Sequence, residues 1–243
     1  MNRQPPPLPE EALILDKPSR AILFANGIIS EPIQVRRLIT SSDLLIAADG
    51  GTRHMFSLGL LPKVVIGDFD SLTSVELHFL QSNGTELLHY PTEKDETDLE
   101  LALGYVLNQD IREVVIFGAL GGRWDMTFAN LLLLAHNRFS QLSLRIVEGM
   151  DELFLLRSGQ STVITGLPGD TVSLLPLSLE AIGIRTEDLQ YPLFDDVLTL
   201  GSPRGVSNVM LTNKAVITMK SGMLLCIHTR KVKDQSEFNI ASP

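Results

Sequence analysis

Two carboxylates, two positions apart, follow a short apolar run near residue 67. The run Val64–Ile66 is β-branched and is closed by Gly67, after which come Asp68 and Asp70. Such a run predicts a buried strand, and the glycine allows a sharp turn where the strand ends. Two like charges this close repel unless a cation lies between them, and carboxylate oxygens suit magnesium with phosphate attached. The alternative for an isolated D-x-D is a turn whose aspartates make local hydrogen bonds.

Two earlier predicted strands end in a similar way. Each apolar run is followed within two residues by a polar side chain and then by glycine, which lets the backbone approach a ligand closely. The residues are Asn26 and Gly27 after the run 21–24, and Asp49, Gly50 and Gly51 after the run 44–48. An ordinary loop is the alternative interpretation of residues 26–27.

A charged loop follows the fourth predicted strand, Glu86–Tyr90. It contains Lys94, Asp95 and Asp98. The segment 97–100, Thr-Asp-Leu-Glu, has the spacing of a capping box, which predicts a helix that begins there and runs to about residue 107. Asp98 then lies in the first turn, at the positive end of the helix dipole.

A glycine-rich loop follows the fifth predicted strand, Glu113–Phe117. Gly121 and Gly122 lead into a predicted helix, so their amides could face an anion. Arg123 comes next, and a guanidinium fork can contact two phosphate oxygens at once. Lys94 could neutralise further phosphate oxygens. Carboxylates, cations and glycines together at strand ends favour phosphoryl or pyrophosphoryl transfer, in which the protein mainly positions reactants and stabilises charge.

The order of these elements predicts the fold class of the first half. Strand, loop and helix alternate about five times up to residue 149, which is typical of a mostly parallel α/β sheet with helices on both faces. The polar loops all follow strands, so their side chains should meet at the carboxyl edge, where such sheets bind ligands.

The second half has a different pattern. From residue 150 the apolar segments are short, β-prone and separated by glycine-containing turns, with no helical period. The strands predicted here are 151–156, 161–165, 171–176, 197–200, 206–211, 215–219 and 223–228. We predict a C-terminal antiparallel β-sandwich or barrel-like domain. The predicted division is a tail over 1–20, an α/β catalytic domain that binds ATP and magnesium over 21–149, a β domain over 150–230, and a polar tail over 231–243.

Composition excludes several classes of protein. The net charge of −9 argues against a nucleic-acid surface, which would carry a basic patch. The single cysteine, Cys226, lies in an apolar run and is predicted to be a buried small side chain, which fits a reducing, cytoplasmic setting. No apolar run approaches the length of a membrane span, and the proline-rich start lacks a secretory core.

Known catalytic motifs are absent. There is no G-x-x-x-x-G-K-[ST] of a P-loop kinase, no G-x-G-x-x-G after a strand, and no G-x-S-x-G elbow. The histidines show no metal-ligand spacing. Trp124 could stack on a ring ligand, but we predict that it is a hydrophobic anchor of its helix.

Four motifs in fixed order resemble the thiamine pyrophosphokinase family, and the likeness extends over about residues 21–229. They are Asp49-Gly50-Gly51, Gly67-Asp68-Phe69-Asp70-Ser71, Lys94-Asp95-Glu96-Thr97-Asp98 with Glu100, and Gly121-Gly122-Arg123-Trp124-Asp125 with Asn130. In the second half, Tyr191-Pro192-Leu193 and Gly205-Val206-Ser207-Asn208 are also similar to that family.

The resemblance implies an enzyme that transfers pyrophosphate from ATP to the hydroxyl of thiamine, with magnesium as cofactor. Asp68, Asp70 and Asp98 would hold the metal and the phosphates, and Asp70 or Asp98 could accept the hydroxyl proton. The residues implied for the ATP pocket are Asn26, Asp49, Gly50, Lys94, Asp95 and Arg123.

The family also implies a homodimer in which the α/β domain of one subunit meets the β domain of the other. Thiamine would then contact Ser207 and Asn208 of the partner chain, and Asp125 on the α/β side.

Two positions depart from the family pattern. Met126 stands where the family usually has histidine, and Val209 stands where a polar residue is expected. Two alternative functions remain open on the sequence. One is a phosphatase with Asp68 as nucleophile and Asp70 as acid/base, and the other is a non-catalytic protein that binds thiamine or nucleotide.

Overall fold

The computed structural model describes residues 18–231. The tail predicted over 1–20 lies outside the described residues except for its last three positions, and of the tail predicted over 231–243 only residue 231 is described. Within the described range no helix is long and apolar enough to cross a membrane.

The first half alternates strands and helices as predicted. Its elements are β1 (Arg20–Phe24), α1 (Pro32–Leu38), β2 (Leu44–Ala48), α2 (Gly51–Ser57), β3 (Val64–Gly67), α3 (Ser74–Ser82), β4 (Glu86–His89), α4 (Asp98–Leu107), β5 (Glu113–Phe117), α5 (Trp124–Leu133), a short 3-10 helix (Asn137–Phe139) and β6 (Ser143–Glu148). The Thr97 hydroxyl caps α4 by accepting a hydrogen bond from the Glu100 amide at 3.2 Å, while the Glu100 carboxylate faces Arg138 at 3.7 Å. The expected helix start is therefore confirmed.

The first six strands are parallel and lie in the order β6-β5-β1-β2-β3-β4. The chain moves outward from β1 to β4, and α4 then returns it to β5 on the other side of β1. The switch point of the sheet is therefore between β1 and β5, and it is at such a point that open α/β sheets bind ligands.

Both faces of this sheet are buried, which explains the nearly continuous apolar strand sequences. In β1, Ile22 and Phe24 enter one core with residues of α1, α2 and α3, whereas Leu23 enters a second core with residues of α4 and α5. Alternate side chains of a strand point to opposite faces, so a single five-residue strand supplies both cores.

The second half is all β. Its strands are β7 (Asp151–Arg157), β8 (Ser161–Thr165), β9 (Thr171–Pro176), β10 (Glu180–Glu187), β11 (Phe194–Thr199), β12 (Asn208–Val209), β13 (Lys214–Thr218) and β14 (Met223–Thr229). All pairings among them are antiparallel. The predicted fold class, a mostly parallel α/β sheet followed by antiparallel β structure, is confirmed.

The two halves share one sheet, which the sequence did not reveal. A tight hairpin turns the chain from β6 into antiparallel β7, and β14, β9 and β12 continue the sheet outward to give ten strands. The remaining strands form a separate four-stranded sheet in the order β11-β10-β13-β8. A third core lies in this half and contains Cys226, which is fully buried as predicted. Burial raises the pKa of its thiol to about 12.

Strand β10 was not predicted. Gly183 has φ of +72° and sits at a register shift between β10 and β11, so the apolar alternation of this strand is interrupted. In contrast, the strand predicted over 206–211 is reduced to the two residues of β12 and an isolated bridge at Met210.

A buried contact between an aspartate and a histidine joins the β8–β9 turn to the end of β14. The Asp170 carboxylate lies 2.9 Å from Nε2 of His228, and it also accepts hydrogen bonds from the backbone amides of Leu167 and Lys231. Burial alone would raise the pKa of Asp170, but the two amides and His228 outweigh burial and lower it. The charged form of Asp170 therefore stabilises the fold.

We expect Asp170→Asn to lower the free energy of unfolding by about 2 kcal/mol or more, because the charged acceptor of three donors is lost. Since the native pKa is below the unfolded value of about 3.9, the contribution of Asp170 is complete above that pH and is lost as the pH falls through the native pKa. Urea unfolding between pH 3 and 7 checks this. The variant should show a flatter loss of stability in acid, and Glu187→Gln, an exposed carboxylate on β10, is the control. Identical acid profiles for Asp170→Asn and the native chain would contradict this prediction.

Candidate active site

The carboxyl ends of β1, β2, β3 and β5 bring the candidate residues to one edge of the sheet. Because these strands are parallel and in register, Asn26, Asp49 and Asp68 leave the sheet on the same side. Asn26 and Asp49 are within two residues of their strand ends, and Asp68 directly follows β3. The predicted convergence at this edge is confirmed.

Three carboxylates form a tight group. One oxygen from each of Asp49, Asp68 and Asp70 lies within 4.8 Å of the others. Asp49 is only 8% exposed, and its pKa is raised by burial, with the carboxylates of Asp98 and Asp70 adding to the effect and the Ser71 hydroxyl opposing it. Asp68 is less buried, and its pKa is lowered chiefly because the Asp70 amide donates to it at 3.2 Å. Negative charge is thus concentrated here.

Asp98 faces the same group from the N-terminus of α4. Its carboxylate lies 3.0 Å from Nζ of Lys94, so the loop lysine predicted to contact phosphate holds an ion pair beside the carboxylates. Lys94 also contributes to lowering the pKa of Asp68. The sequence motif therefore places the ammonium group of Lys94 between the D-x-D turn and the start of α4.

Because Gly67 has no side chain, the side chains of Asp49 and Asp98 can both lie close to its backbone. A Cβ at this position would lie 2.8 Å from Cβ of Asp49 and 3.3 Å from Cγ of Asp98. Any larger residue would have to displace one of these aspartates. The glycine before the D-x-D therefore has a packing reason beyond the turn itself.

Gly51 has an equally strict role at the end of β2. A Cβ there would lie 1.9 Å from the carbonyl oxygen of Phe24, so α2 packs directly on the backbone of β1. Asp49 adopts φ of +40°, and its carbonyl accepts hydrogen bonds from the amide and hydroxyl of Thr52. These contacts fix the direction of the Asp49 side chain, whereas Gly50 lies against the Asn26 side chain, which a Cβ would approach to 2.4 Å.

A cavity of about 320 Å³ opens at the switch point beside the carboxylates. Its walls come from the ends of β1, β2 and β5 and from α4 and α5. Among the predicted residues, Asn26, Asp49, Asp98 and Arg123 line it. Met126, the departure from the family pattern, lines it too. The loops after β1 and β5 are tied together, since the Gly27 amide donates to the Gly118 carbonyl at 2.6 Å.

Three predicted residues are largely exposed to solvent. Arg123 and Asp125 pair with each other at 2.5 Å, and both side chains are largely exposed. Asp95 is exposed in the loop before α4 and lies outside the cavity lining. Trp124 is 78% exposed, so the prediction that it anchors its helix within the chain is wrong. The reason is that α5 turns its Trp124 face away from the sheet and buries Thr127 and Asn130 instead.

Ser207 and Asn208 are far from the carboxylates of their own chain. Asn208 lies in β12, seven strand positions from β2 in the ten-stranded sheet, which corresponds to about 34 Å. The Asn208 amide donates to the Tyr191 carbonyl at 2.7 Å and accepts from the Tyr191 amide at 3.0 Å. Ser207 is exposed, with φ of +59°. Asn208 therefore fixes the 191 loop, and Ser207 faces outward beside it.

The residues at the carboxylate group fit a hard divalent cation. All the side-chain donors are carboxylate oxygens, and one oxygen of Asp49 is buried without a hydrogen-bond partner among residues 18–231. Carboxylates this close repel unless they are compensated, and oxygen donors in this number suit magnesium with water and phosphate as its other ligands.

Sequence reasoning missed the roles of several polar residues around the cavity. The Thr127 hydroxyl accepts from the Gly121 amide at 3.0 Å, and His54 has a structural role, since its Nε2 contacts the Gly27 carbonyl at 2.8 Å. Asn130 lines the cavity and donates to the Ala119 carbonyl at 2.7 Å. The sequence motif included Asn130 without giving it a role, whereas Thr127 could have been found as a polar residue on the inner face of an otherwise apolar helix.

Two family models match consecutive parts of the chain. Residues 35–146 match "Thiamin pyrophosphokinase, catalytic domain", and residues 161–224 match "Thiamin pyrophosphokinase, vitamin B1 binding domain". The chain is 28% identical to the thiamine pyrophosphokinase of Bacillus subtilis over 76% of its own length and 87% of that protein. It is 22% identical to thiamin pyrophosphokinase 1 of Caenorhabditis elegans over 88% and 91% of the two chains.

Solved structures share the fold. The crystal structure of the Bacillus subtilis thiamine pyrophosphokinase superposes with a TM-score of 0.77 at 24% identity, covering 88% of this chain and all of that one. The Candida albicans thiamin pyrophosphokinase gives a TM-score of 0.71 at 18% identity, with 89% and 90% covered. With both models of one family matched in order along the sequence and the overall fold shared with solved structures, the chain belongs to the thiamin pyrophosphokinase family.

Proposed function

We propose that the protein is a thiamine diphosphokinase, which transfers pyrophosphate from ATP to the hydroxyl of thiamine and releases AMP. The observation that supports this most directly is the meeting of Asp49, Asp68, Asp70 and Asp98 around Gly67 beside a cavity at the switch point. The reaction is inferred from the family to which the chain belongs, and the roles of the residues are inferred from the sequence motifs.

We assign magnesium to the carboxylate group, held by Asp68, Asp70 and Asp98 as the motifs imply, with Asp49 added because its oxygen lies within 4.8 Å of those of Asp68 and Asp70. When bound, magnesium would draw negative charge from the phosphate oxygens and so ease attack at phosphorus. Lys94, already paired with Asp98, would contribute a point charge to the same phosphates.

ATP would occupy the cavity with its phosphates toward the carboxylates. Asn26 and Arg123 border this space, Gly50 lies against the Asn26 side chain, and the glycine backbone at 121–122 allows close approach. Arg123 now pairs with exposed Asp125, so contact with phosphate requires the guanidinium to exchange partners. Such an exchange costs little because water screens the attraction within an exposed ion pair.

The reaction needs in-line geometry more than covalent chemistry from the protein. The thiamine hydroxyl oxygen forms a bond to the β-phosphorus of ATP, the bond from that phosphorus to the oxygen of AMP breaks, and AMP leaves with that oxygen. One of the carboxylates Asp70 and Asp98 takes the hydroxyl proton. Both lie next to the proposed path of the phosphates, at the ends of separate elements.

Thiamine binding requires a second chain under this proposal. Ser207 directly precedes β12, which lies seven strands from β2, or about 34 Å along the sheet, so under this proposal the two regions form one site between subunits. An exposed apolar face on α5, formed by Trp124, Phe128 and Leu132, offers surface for such a homodimer. Asp125 lies on the same helix and would meet thiamine from the α/β side. Asn208 would act through the Tyr191 loop that it holds.

An assay of AMP release tests the reaction. The chain with ATP and magnesium should release AMP only when thiamine is present, and Asp98→Asn should lower kcat by about a thousandfold or more because a carboxylate beside the reacting phosphates is lost. Circular dichroism and the melting temperature should stay close to those of the native chain. Phosphate release through a covalent phosphoenzyme, or thiamine binding with no AMP, would contradict the proposal and favour the phosphatase or the non-catalytic binding protein.

Binding of Mn²⁺, as a spectroscopic substitute for Mg²⁺, tests the carboxylate group without turnover. We expect Asp70→Asn to weaken Mn²⁺ binding about tenfold or more, as measured by electron paramagnetic resonance. The same change should raise the melting temperature of the metal-free protein, because one of several repelling charges is removed. The control is Glu93→Gln, which removes an exposed carboxylate from the neighbouring loop. It should alter neither the Mn²⁺ affinity nor the melting temperature. Equal Mn²⁺ affinity in Asp70→Asn and the native chain would remove Asp70 from the metal site.

Mixed dimers test the two-chain site. Asp98→Asn and Ser207→Arg should each be inactive alone, the second because a cationic side chain repels the thiazolium. Co-refolded in equal amounts, they should regain about one quarter of native activity, since half the dimers would be mixed and each would hold one intact site. A site contained within one chain would give no recovery on mixing.

A further inference from the structure

Asn130 is a buried amide that uses only half of its hydrogen-bonding capacity within the chain. It is 5% exposed, lies on α5 and lines the cavity at the switch point. Its Nδ2 donates to the Ala119 carbonyl at 2.7 Å, whereas its Oδ1 has no partner among residues 18–231. An unpaired buried acceptor destabilises the fold, so its retention in a cavity wall indicates a donor that arrives with a ligand.

The orientation of this amide is determined by its neighbour. A flipped side chain would place Oδ1 against the Ala119 carbonyl oxygen and replace a hydrogen bond with the repulsion of two acceptors. The segment that contains Ala119 is itself held, because the Gly27 and Ile28 amides donate to the Gly118 and Leu120 carbonyls. Asn130 therefore holds its acceptor in a fixed position in the cavity wall.

The position of the cavity indicates which of the two substrates supplies the hydrogen-bond donor. All of its lining residues come from the α/β half, and Asp49 and Asp98 are among them. Under the proposed function the phosphates of ATP lie at these carboxylates, while thiamine enters from the partner's β half. A volume of about 320 Å³ is near the lower end of the range for ligand pockets and suits a nucleoside.

We infer that Oδ1 of Asn130 accepts a hydrogen bond from a hydroxyl or amino group on the nucleoside portion of ATP. This inference rests on the proposed function for the identity of the nucleotide. Asn130 is then a residue that positions and selects the nucleotide and takes no part in the movement of protons at the phosphates. Its loss should raise the KM for ATP more than it lowers kcat.

Removing the donor from the substrate and the acceptor from the protein tests the contact. The native chain, Asn130→Leu and the control Asn108→Leu are each assayed with ATP, 2′-deoxy-ATP, 3′-deoxy-ATP and the purine riboside triphosphate that lacks the 6-amino group. Asn108 is a matched control because its amide also donates to a carbonyl, that of Gly104 at 3.3 Å, but at the exposed far end of α4. Leucine has nearly the shape of asparagine without its polar atoms.

We expect one analogue to lower kcat/KM about tenfold in the native chain and in Asn108→Leu, and to have less than a twofold effect in Asn130→Leu. Ratios that are equal in all three proteins for every analogue would overturn the inference. So would an Asn130→Leu defect confined to the KM for thiamine, since the donor would then belong to the other substrate.

Two further measurements keep the test decisive. If Asn130→Leu does not fold, as judged by its melting curve, Asn130→Ser is used in its place, because a small polar residue is better tolerated beside the Ala119 carbonyl. If the native chain releases no AMP, calorimetric affinities for ATP and the same analogues replace kcat/KM. Failure of the proposed reaction is thereby separated from failure of the Asn130 contact.

Discussion

Mutual repulsion of four carboxylates at one sheet edge is the constraint on which the candidate site depends. Asp49, Asp68, Asp70 and Asp98 come from three separate segments, and the free energy of folding must hold them together against their charge. The rigid frame that does so is the parallel sheet buried on both faces, because its strand ends cannot move independently. Gly67 completes the arrangement by leaving room for two of the carboxylates. Such stored repulsion is useful where a cation and phosphates are to be bound.

The same sheet explains why one chain does not form the whole proposed site. It continues through antiparallel strands into the second half, and this continuity carries Ser207 away from the carboxylates rather than around them. A rigid, extended sheet leaves association between chains as the way to join the two regions. The exposed apolar face on α5 lies on the α/β half, next to the cavity residues of the same helix. Under the proposed function, the topology of this one sheet links the candidate site to the proposed homodimer.

In the cavity walls, backbone hydrogen bonds provide rigidity and side chains provide the polar groups. The loops after β1 and β5 are tied by backbone hydrogen bonds at Gly27 and Ile28, which makes the pocket rigid before any ligand binds. The aspartates supply charge at one part of the wall, and Asn130 supplies a neutral acceptor in another. Pre-organised polar groups of this kind reduce the entropy lost when a ligand binds.

The sequence by itself determined the alternation of the first half, the start of α4 at its Thr97 cap, and the convergence of the polar loops. Local signals decide these features: apolar runs, a capping residue, and the rule that parallel strands end at one edge. Tertiary structure alone decided the continuity of the two halves in one sheet, the existence of β10 across its bulge, the exposure of Trp124 and the burial of Asn130. Each of these depends on which face of an element meets a distant neighbour. Local sequence does not encode that choice when a glycine interrupts the pattern, as at Gly183, or when a helix carries apolar residues on both faces, as α5 does.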